Sequence, residues 1–187
     1  MIQNEITGNN LSVRESKQED FEKVVDYFLT ADEDFLLKMG VDKSKLPERD
    51  PWLQLLNNEL TQPIENKKFF FVTWLLNDIP VGHSHINKII YNEEAYMHLH
   101  LWQNDKRQKG NGTCFVELSL PFYFSNFKLK KLFCEPYALN DAPNNTLKKA
   151  GFSLIKQYET TPGLFNFNQL VNRWCLDVEK YQTYKHK

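Results

Sequence analysis

Apolar positions along the chain change their period twice. Leu11 to Arg14 alternates as a short strand. Phe21, Val24, Val25, Phe28 and Leu29 then recur at helical spacing, behind a Ser16–Glu19 pair three residues apart that reads as a capping box. A second helical piece, Ala31 to Met39, stops at Gly40, and Asp50-Pro51 starts a third with Trp52, Leu55, Leu56 and Leu60 on one side. From Lys68 the period falls to two. The runs KFFFVTWLL (Lys68–Leu76), VGHSHINKII (Val81–Ile90) and AYMHLHLW (Ala95–Trp102) predict an antiparallel meander, the last two joined near Asn92. Helical spacing returns from about Thr113 to Phe127, with Pro121 expected to kink or shorten the helix. A strand at Leu129–Cys134, a helix at Asn140–Ala150, a strand at Phe152–Gln157 and a last strand at Gln169–Glu179 complete the pattern, and YKHK reads as a frayed tail.

Strand–helix–strand units after a meander predict an α/β (α+β) class: a mixed, mostly antiparallel central sheet with helices on both faces. No repeat or low-complexity linker divides the chain. It reads as one domain over 1–187 with a core about 11–178.

Composition narrows the class without naming a function. The 187 residues are 41% hydrophobic and carry a net charge of −1, so no global basicity points to nucleic acid. No apolar run reaches the roughly 20 residues of a membrane helix, and MIQNEITGNNL has no secretory pattern. Three widely spaced cysteines fit reduced thiols in a cytoplasm better than a disulfide framework, with Cys114 and Cys134 reading as buried structural thiols. No CxxC or HExxH appears, and no metal is expected from motif.

The chemistry begins at WQNDKRQKGNGTCFVEL, Trp102–Leu118. A strand ends, a loop carries Lys106, Arg107 and Lys109, and Gly110-Asn111-Gly112 leads into an apolar helix. Glycines let a ligand approach the backbone closely, and the first amides of a helix lack internal partners at the positive end of its dipole. Together they make a cradle for phosphate or pyrophosphate. The plain alternative is a glycine-containing loop with solvated lysines. The GK[ST] ending of a nucleotide P-loop and the three-glycine dinucleotide fingerprint are both missing.

Arg107-x-x-Gly110-x-Gly112, after a strand and before a helix, resembles the acetyl-CoA pyrophosphate loop of the GNAT N-acetyltransferases. Asn140, followed eleven residues later by Gly151-Phe152, resembles that family's asparagine-to-GF segment. The resemblance spans about Leu11 to Val178. It implies a GNAT-like acyl-CoA acyltransferase fold and an enzyme that transfers acetyl from acetyl-CoA to a primary amine of a small molecule or a peptide N-terminus. The look is nearest the branch acting on ribosomal-protein N-termini and small amines. By the same resemblance, Arg107 and the amides of Gln108, Lys109, Gly110, Asn111, Gly112 and Thr113 hold the pyrophosphate. The backbone of Leu101 and Trp102 holds the pantetheine arm, and Asn140 contacts the cofactor. Phe152 reads as core. Two departures stand out. Leu147 occupies the place of a tyrosine acid, with Tyr137 a distant substitute, and Tyr96 lies near the place of a glutamate base. Leu147 also favours a rival reading, a non-catalytic acyl-CoA-binding module; a cofactor-free scaffold is a second rival.

His83 and His85 alternate on one strand, His98 and His100 on the next, so each pair shares a face. A two-residue turn at Asn92-Glu93 would set His85 opposite His100 and His98 opposite Asn87, with Tyr96 on the same side. Imidazole titrates near neutrality and can take an ammonium proton. His98 is the first candidate base and resembles in position a histidine of the siderophore-type, hydroxylysine-acetylating branch. His100 is second, and His85 orients. On that reading His98→Gln removes the ascending limb of the pH–rate profile. The alternatives are a polar cleft floor with water as base, and a metal site built from three histidines. Asp32, Glu33, Asp34 and Glu59, in the helical segments from Ala31 to Leu60, could attract a cationic acceptor or form an ordinary solvated face. Lys128, Lys130 and Lys131 read as a solvated edge or a ribose-phosphate contact. The aromatic run Pro121–Phe127 reads as core or as the face of a homodimer.

Overall fold

The computed structural model describes residues 2–6, 9–102 and 110–185. Strands β1 (Ile2–Ile6) and β2 (Asn9–Glu15) lead into helices α1 (Gln18–Leu29), α2 (Glu33–Lys38) and α3 (Arg49–Leu60). The meander is β3 (Phe70–Leu76), β4 (Ile79–Ile90) and β5 (Glu94–Leu101). After it come α4 (Asn111–Phe127), β6 (Lys131–Cys134), α5 (Asp141–Lys149), β7 (Ser153–Thr160), β8 (Gln169–Asp177) and α6 (Val178–Lys185). The strands form one eight-stranded sheet in the order β1-β2-β3-β4-β5-β6-β8-β7. Among the described strands only β5 and β6 pair in parallel. This is the mixed, mostly antiparallel sheet that the patterning predicts.

Two apolar cores sandwich the sheet. Phe70, Val72 and Trp74 alternate toward α4, α5 and α6, where they meet Phe115, Tyr123, Phe127, Leu147 and Tyr181. Phe71 faces the other way, toward Phe21, Val25 and Phe28 of α1 and Trp52 and Leu56 of α3. Both faces of β3 are therefore covered, and its continuous apolar run follows from that.

The capping box forms one residue later than the sequence suggests. Ser16 stays with the sheet, its amide on the Phe71 carbonyl (3.0 Å) and its hydroxyl on Thr73 Oγ1 (2.7 Å). Lys17 becomes the N-cap, and Asp20 accepts its amide (2.8 Å). Pro121 does not end α4, which runs its full 17 residues through it. A proline inside a helix costs about 3 kcal/mol, whereas each large apolar side chain buried gains about 1.5–3. Phe115, Val116, Leu120, Tyr123, Phe124 and Phe127 are all buried. Ser119 adds a polar anchor, accepting from Trp74 Nε1 (2.9 Å) and Ser84 (3.1 Å) while donating to the Phe115 carbonyl (2.7 Å). The last strand ends at Asp177 instead of Glu179, because Asp177 accepts the Lys180 amide (2.7 Å) and starts α6.

The β4–β5 register differs from the two-residue turn. Ile90 pairs with Glu94, leaving a three-residue connection, and a second irregularity lies between Asn87 and Ile90, where Lys88 has φ 47°. The two one-residue slips add. His83 pairs with His100, His85 with His98 and Asn87 with Tyr96. One slip would have turned β5 over; two restore the face, so all four histidines still share it.

Candidate active site

β5 and β6 pair only from Glu94–Lys131 to Tyr96–Phe133. β6 stops at Cys134 while β5 continues to Leu101, so the strands part beyond Tyr96. A cleft of about 360 Å³ occupies the gap, bordered by Leu99 and Leu101 of β5, the first turn of α4 and one face of α5.

The two glycines of that turn do different work. Gly110 is the N-cap of α4 at φ 81°, a left-handed backbone that suits glycine, and a Cβ there would meet nothing within 4 Å. Gly112 is inside the helix and lines the cleft, and a Cβ on it would meet, among the described residues, only Thr146, at 3.5 Å (Oγ1) and 3.9 Å (Cγ2). The missing side chain leaves space where a ligand can reach the helix end, which fits a pyrophosphate tail. Thr113 lines the same cleft, but its amide and that of Cys114 already donate to the Gly110 carbonyl (3.1 and 3.3 Å). Asn111 is buried beside them and does not line the cleft. Lys106, Arg107, Gln108 and Lys109 lie outside the described residues.

Of the two pantetheine candidates, Leu101 faces the cleft. The Trp102 amide donates to the Val81 carbonyl (2.8 Å), so by alternation along the strand the Leu101 amide turns to the opposite, cleft side. The Trp102 ring points elsewhere, bordering a shallow hollow with Lys23, Asp26 and Asp32. Asn140 caps nothing with its side chain and lines the cleft. Sequence reading missed the rest of α5. Ala142, Asn145, Thr146 and Lys149, spaced i, i+3, i+4 and i+7, present one face to the cleft, and Lys149 brings a cation to it. That spacing was legible; what it faced was not. Lys128, Lys130 and Lys131 are exposed, a solvated edge and not a ribose-phosphate contact. They lie at the far end of α4, roughly 25 Å along the axis from Gly110, with Lys130 paired to Glu93 (2.6 Å).

On the opposite face of the sheet lies a second cavity of about 190 Å³, floored by His83, His85, His98 and His100. His100 borders both cavities and is their shared wall. The imidazoles lie nearly parallel: His85 stacks on His98 (4.7 Å) and on Phe71 (4.6 Å), and His83 on His100 (4.9 Å). Burial pushes His83 down to about 3, with the neighbouring His98 adding to the effect. His85 is held well below 6.5 by burial and by the other histidines. Burial, then the Lys88 ammonium, take His98 down to about 4. His98 Nε2 also meets Asn87 Oδ1 (3.2 Å).

These shifts change the base expectation. A histidine near 4 is already neutral at pH 7, and it is far too weak to titrate with an ammonium in the neutral range. The metal alternative also fits poorly. His83, His85 and His100 bring ligand nitrogens within 4.8 Å of one another. Trp102 Nε1–H, however, donates to His83 Nδ1 (2.9 Å), which puts the His83 proton on Nε2. One ring lone pair is taken and the other nitrogen is protonated, so His83 presents neither to a metal. Its buried Nε2–H has no partner among the described residues.

The expected acidic wall is not there. Asp32 caps α2, accepting the Phe35 amide (2.7 Å), and Glu59 accepts the Lys68 amide (2.8 Å). Neither they nor Glu33 or Asp34 line the histidine cavity, whose walls among the described residues include Phe28, Trp52, Leu56 and Phe165. Tyr96 is no base; its hydroxyl accepts from Arg173 (2.8 Å), and burial raises its pKa. Leu147 is buried core, and Tyr137 packs on Phe167 (6.0 Å). The tyrosine that lines the cleft among the described residues is Tyr27 of α1, 5.6 Å from His100 ring to ring.

A central strand parted from its parallel neighbour, with a glycine-started helix at the gap, is the architecture of the GNAT acetyltransferases, and the chain has that fold. The solved structures similar to it include the aminoglycoside acetyltransferase AAC(6')-Ib in complex with coenzyme A and kanamycin, at TM-score 0.69 and 13% identity over 94% of this chain and 99% of that one. The RimL ribosomal L7/L12 α-N-protein acetyltransferase in complex with coenzyme A matches at TM-score 0.72 and 13% identity, over 94% and 97%. The spermidine N-acetyltransferase from Vibrio cholerae, in complex with CoA and spermine, matches at TM-score 0.72 and 15% identity, over 92% and 98%. No family model and no curated protein sequence matches the chain. No helix among the described residues is long and apolar enough to cross a membrane.

Proposed function

We propose that the chain, read as one domain over 1–187, is an N-acetyltransferase that moves acetyl from acetyl-CoA to the primary amine of a small molecule or a peptide N-terminus. The observation that carries this is His100 as common wall: a ligand-sized cleft that reaches the first turn of α4 on one side and a second cavity on the other. Proteins of the same fold crystallised with coenzyme A and amines support the reading.

Bound acetyl-CoA supplies the acetyl group as a thioester. Gly110, Gly112 and Lys149 hold its phosphates, with Asn140 beside them, and the Leu101 edge orients the arm. The histidine cavity takes the amine. Burial there disfavours the ammonium, so the amine sheds its proton to solvent on entry. His98, His100 and His85 then hydrogen-bond and orient the neutral amine. Tyr27, whose hydroxyl donates to Met39 Sδ (3.0 Å), lines the cleft and returns a proton to the departing sulfur only by turning from Met39.

The test of the reading is amine-dependent thiol release. Acetyl-CoA at about a hundred times its Kd should stabilise the fold by about 2.7 kcal/mol, seen as a rise of several degrees in Tm. Thiol release should then follow on adding an amine. A Tm rise with no release across an amine panel would select the binding module; no Tm rise would select the scaffold. The His98→Gln enzyme should lose rate yet keep the shape of its pH–rate profile from 6 to 9, because a group near 4 does not titrate there. If that substitution removes an inflection in this range, His98 is the base after all.

We also read the protein as cytoplasmic and able to dimerise. Its cysteines are reduced thiols, two buried and one half-buried. β7 is an edge strand that exposes Leu154 and Ile155.

A further inference from the structure

We infer that the acceptor is a small primary amine on an uncharged aromatic body, an arylalkylamine, and not a polycation. This rests on the acetyl-transfer reading of the same cavity and names its substrate class.

The cavity of about 190 Å³ is lined by aromatic and aliphatic side chains, imidazoles and two asparagines, with no carboxylate and no cation among the described residues. Phe28 and Trp52 meet at 5.6 Å and Trp52 and Phe165 at 5.0 Å, a continuous aromatic wall above the histidine floor. A dry apolar cavity of about 150 Å³ holds a benzene-sized ring. The present one has room for a ring and a short chain ending in nitrogen, and little more.

Charge selects in the same direction. Two carboxylates act on the histidines from outside the lining, Asp20 on His83 and Glu135 on His98. Each is engaged by an arginine, Asp20 by Arg14 (2.6 Å) and Glu135 by Arg173 (2.6 Å). The Lys88 ammonium also acts on His98 and sits over the Tyr96 ring (4.9 Å). A polyamine or aminoglycoside would bring several ammonium groups here with no counter-charge among the described lining residues. Cation–π attraction to the rings recovers only a fraction of the hydration each would lose. An arylalkylamine has one amine to deprotonate, and its ring repays entry by burying apolar surface.

The full chain with saturating acetyl-CoA is assayed for thiol release with 2-phenylethylamine, spermidine, kanamycin and a tetrapeptide beginning with phenylalanine. Binding of each is measured in parallel by calorimetry in the presence of coenzyme A. The expected result is a kcat/KM for 2-phenylethylamine at least about tenfold above each of the others, the scale on which pocket fit discriminates. Spermidine or kanamycin matching it would overturn the inference, as would the peptide exceeding it. Thiol release from no amine, with 2-phenylethylamine still bound and spermidine not, would reject acetyl transfer and keep the cavity assignment. If 2-phenylethylamine neither binds nor turns over, the cavity assignment itself fails.

Discussion

Gly112→Val will lower the affinity for acetyl-CoA by roughly 10²–10⁴-fold while leaving the stability of the fold within about 1 kcal/mol. Gly112 is the second residue of α4, and its backbone is not left-handed. Glycine is among the poorest helix formers and valine is slightly better, so the helix does not suffer. The first added atom meets Thr146 at ordinary distances, Oγ1 at 3.5 Å and Cγ2 at 3.9 Å, and no other residue among those described within 4 Å. What it blocks is the approach of a phosphate to the helix end. Charge-assisted hydrogen bonds contribute about 1.5–3 kcal/mol each, and losing two is worth 3–6, or two to four decades in Kd. Gly110→Ala is the contrast. It forces a side chain into φ 81° and should cost about 1–2 kcal/mol of stability through the backbone. Calorimetric titration with acetyl-CoA and thermal melts of both variants measure the pair. Unaltered affinity in Gly112→Val would mean that the cleft is not where the diphosphate lies.

Acid should unfold the protein well above the pH at which carboxylates protonate. His83 near 3, His98 near 4 and His85 well below 6.5 are neutral in the folded chain, whereas unfolded histidine takes its proton near 6.5. Between those values the unfolded state binds more protons, so stability is full above 6.5 and is lost as pH falls. Each such histidine contributes a slope of up to about 1.4 kcal/mol per pH unit, and His83 and His98 together up to about 2.7. From pH 6.5 to 4.5 these two amount to roughly 4 kcal/mol, near the lower end of the whole stability of an ordinary domain, and His85 acts in the same direction. Thermal melts at pH 7.5, 6.0, 5.0 and 4.5 should show Tm falling steeply below 6. His98→Gln should make the slope shallower by up to about 1.4 kcal/mol per pH unit, since glutamine does not titrate. A Tm that stays level from pH 7 to 5 would show the imidazoles to be solvated and the cavity open to water.

The chain's local patterns determined a good deal. The switch from helical to alternating spacing at Lys68 located the meander. His83 had to share a face with His85, and His98 with His100, because β-strand side chains alternate, and Gly110 and Gly112 marked a helix end able to receive an anion. Each of these is a short-range property, fixed by residues within a turn or two of one another.

Tertiary structure decided the chemistry. The two slips between β4 and β5 that set His83 against His100 depend on how Lys88 and the Tyr91–Glu93 connection settle against the rest of the sheet. The neutrality of the histidines comes from Phe28, Trp52 and Phe71, which arrive from distant segments to strip away water. Asp32 and Glu59 left the acceptor site because backbone amides elsewhere claimed them. Trp102, read as a cofactor contact, instead fixes a histidine tautomer on the far face. A side chain's type and period are written in its neighbours along the chain. Its pKa, its tautomer and the cavity it lines depend on neighbours in space, and only the folded structure brings those together.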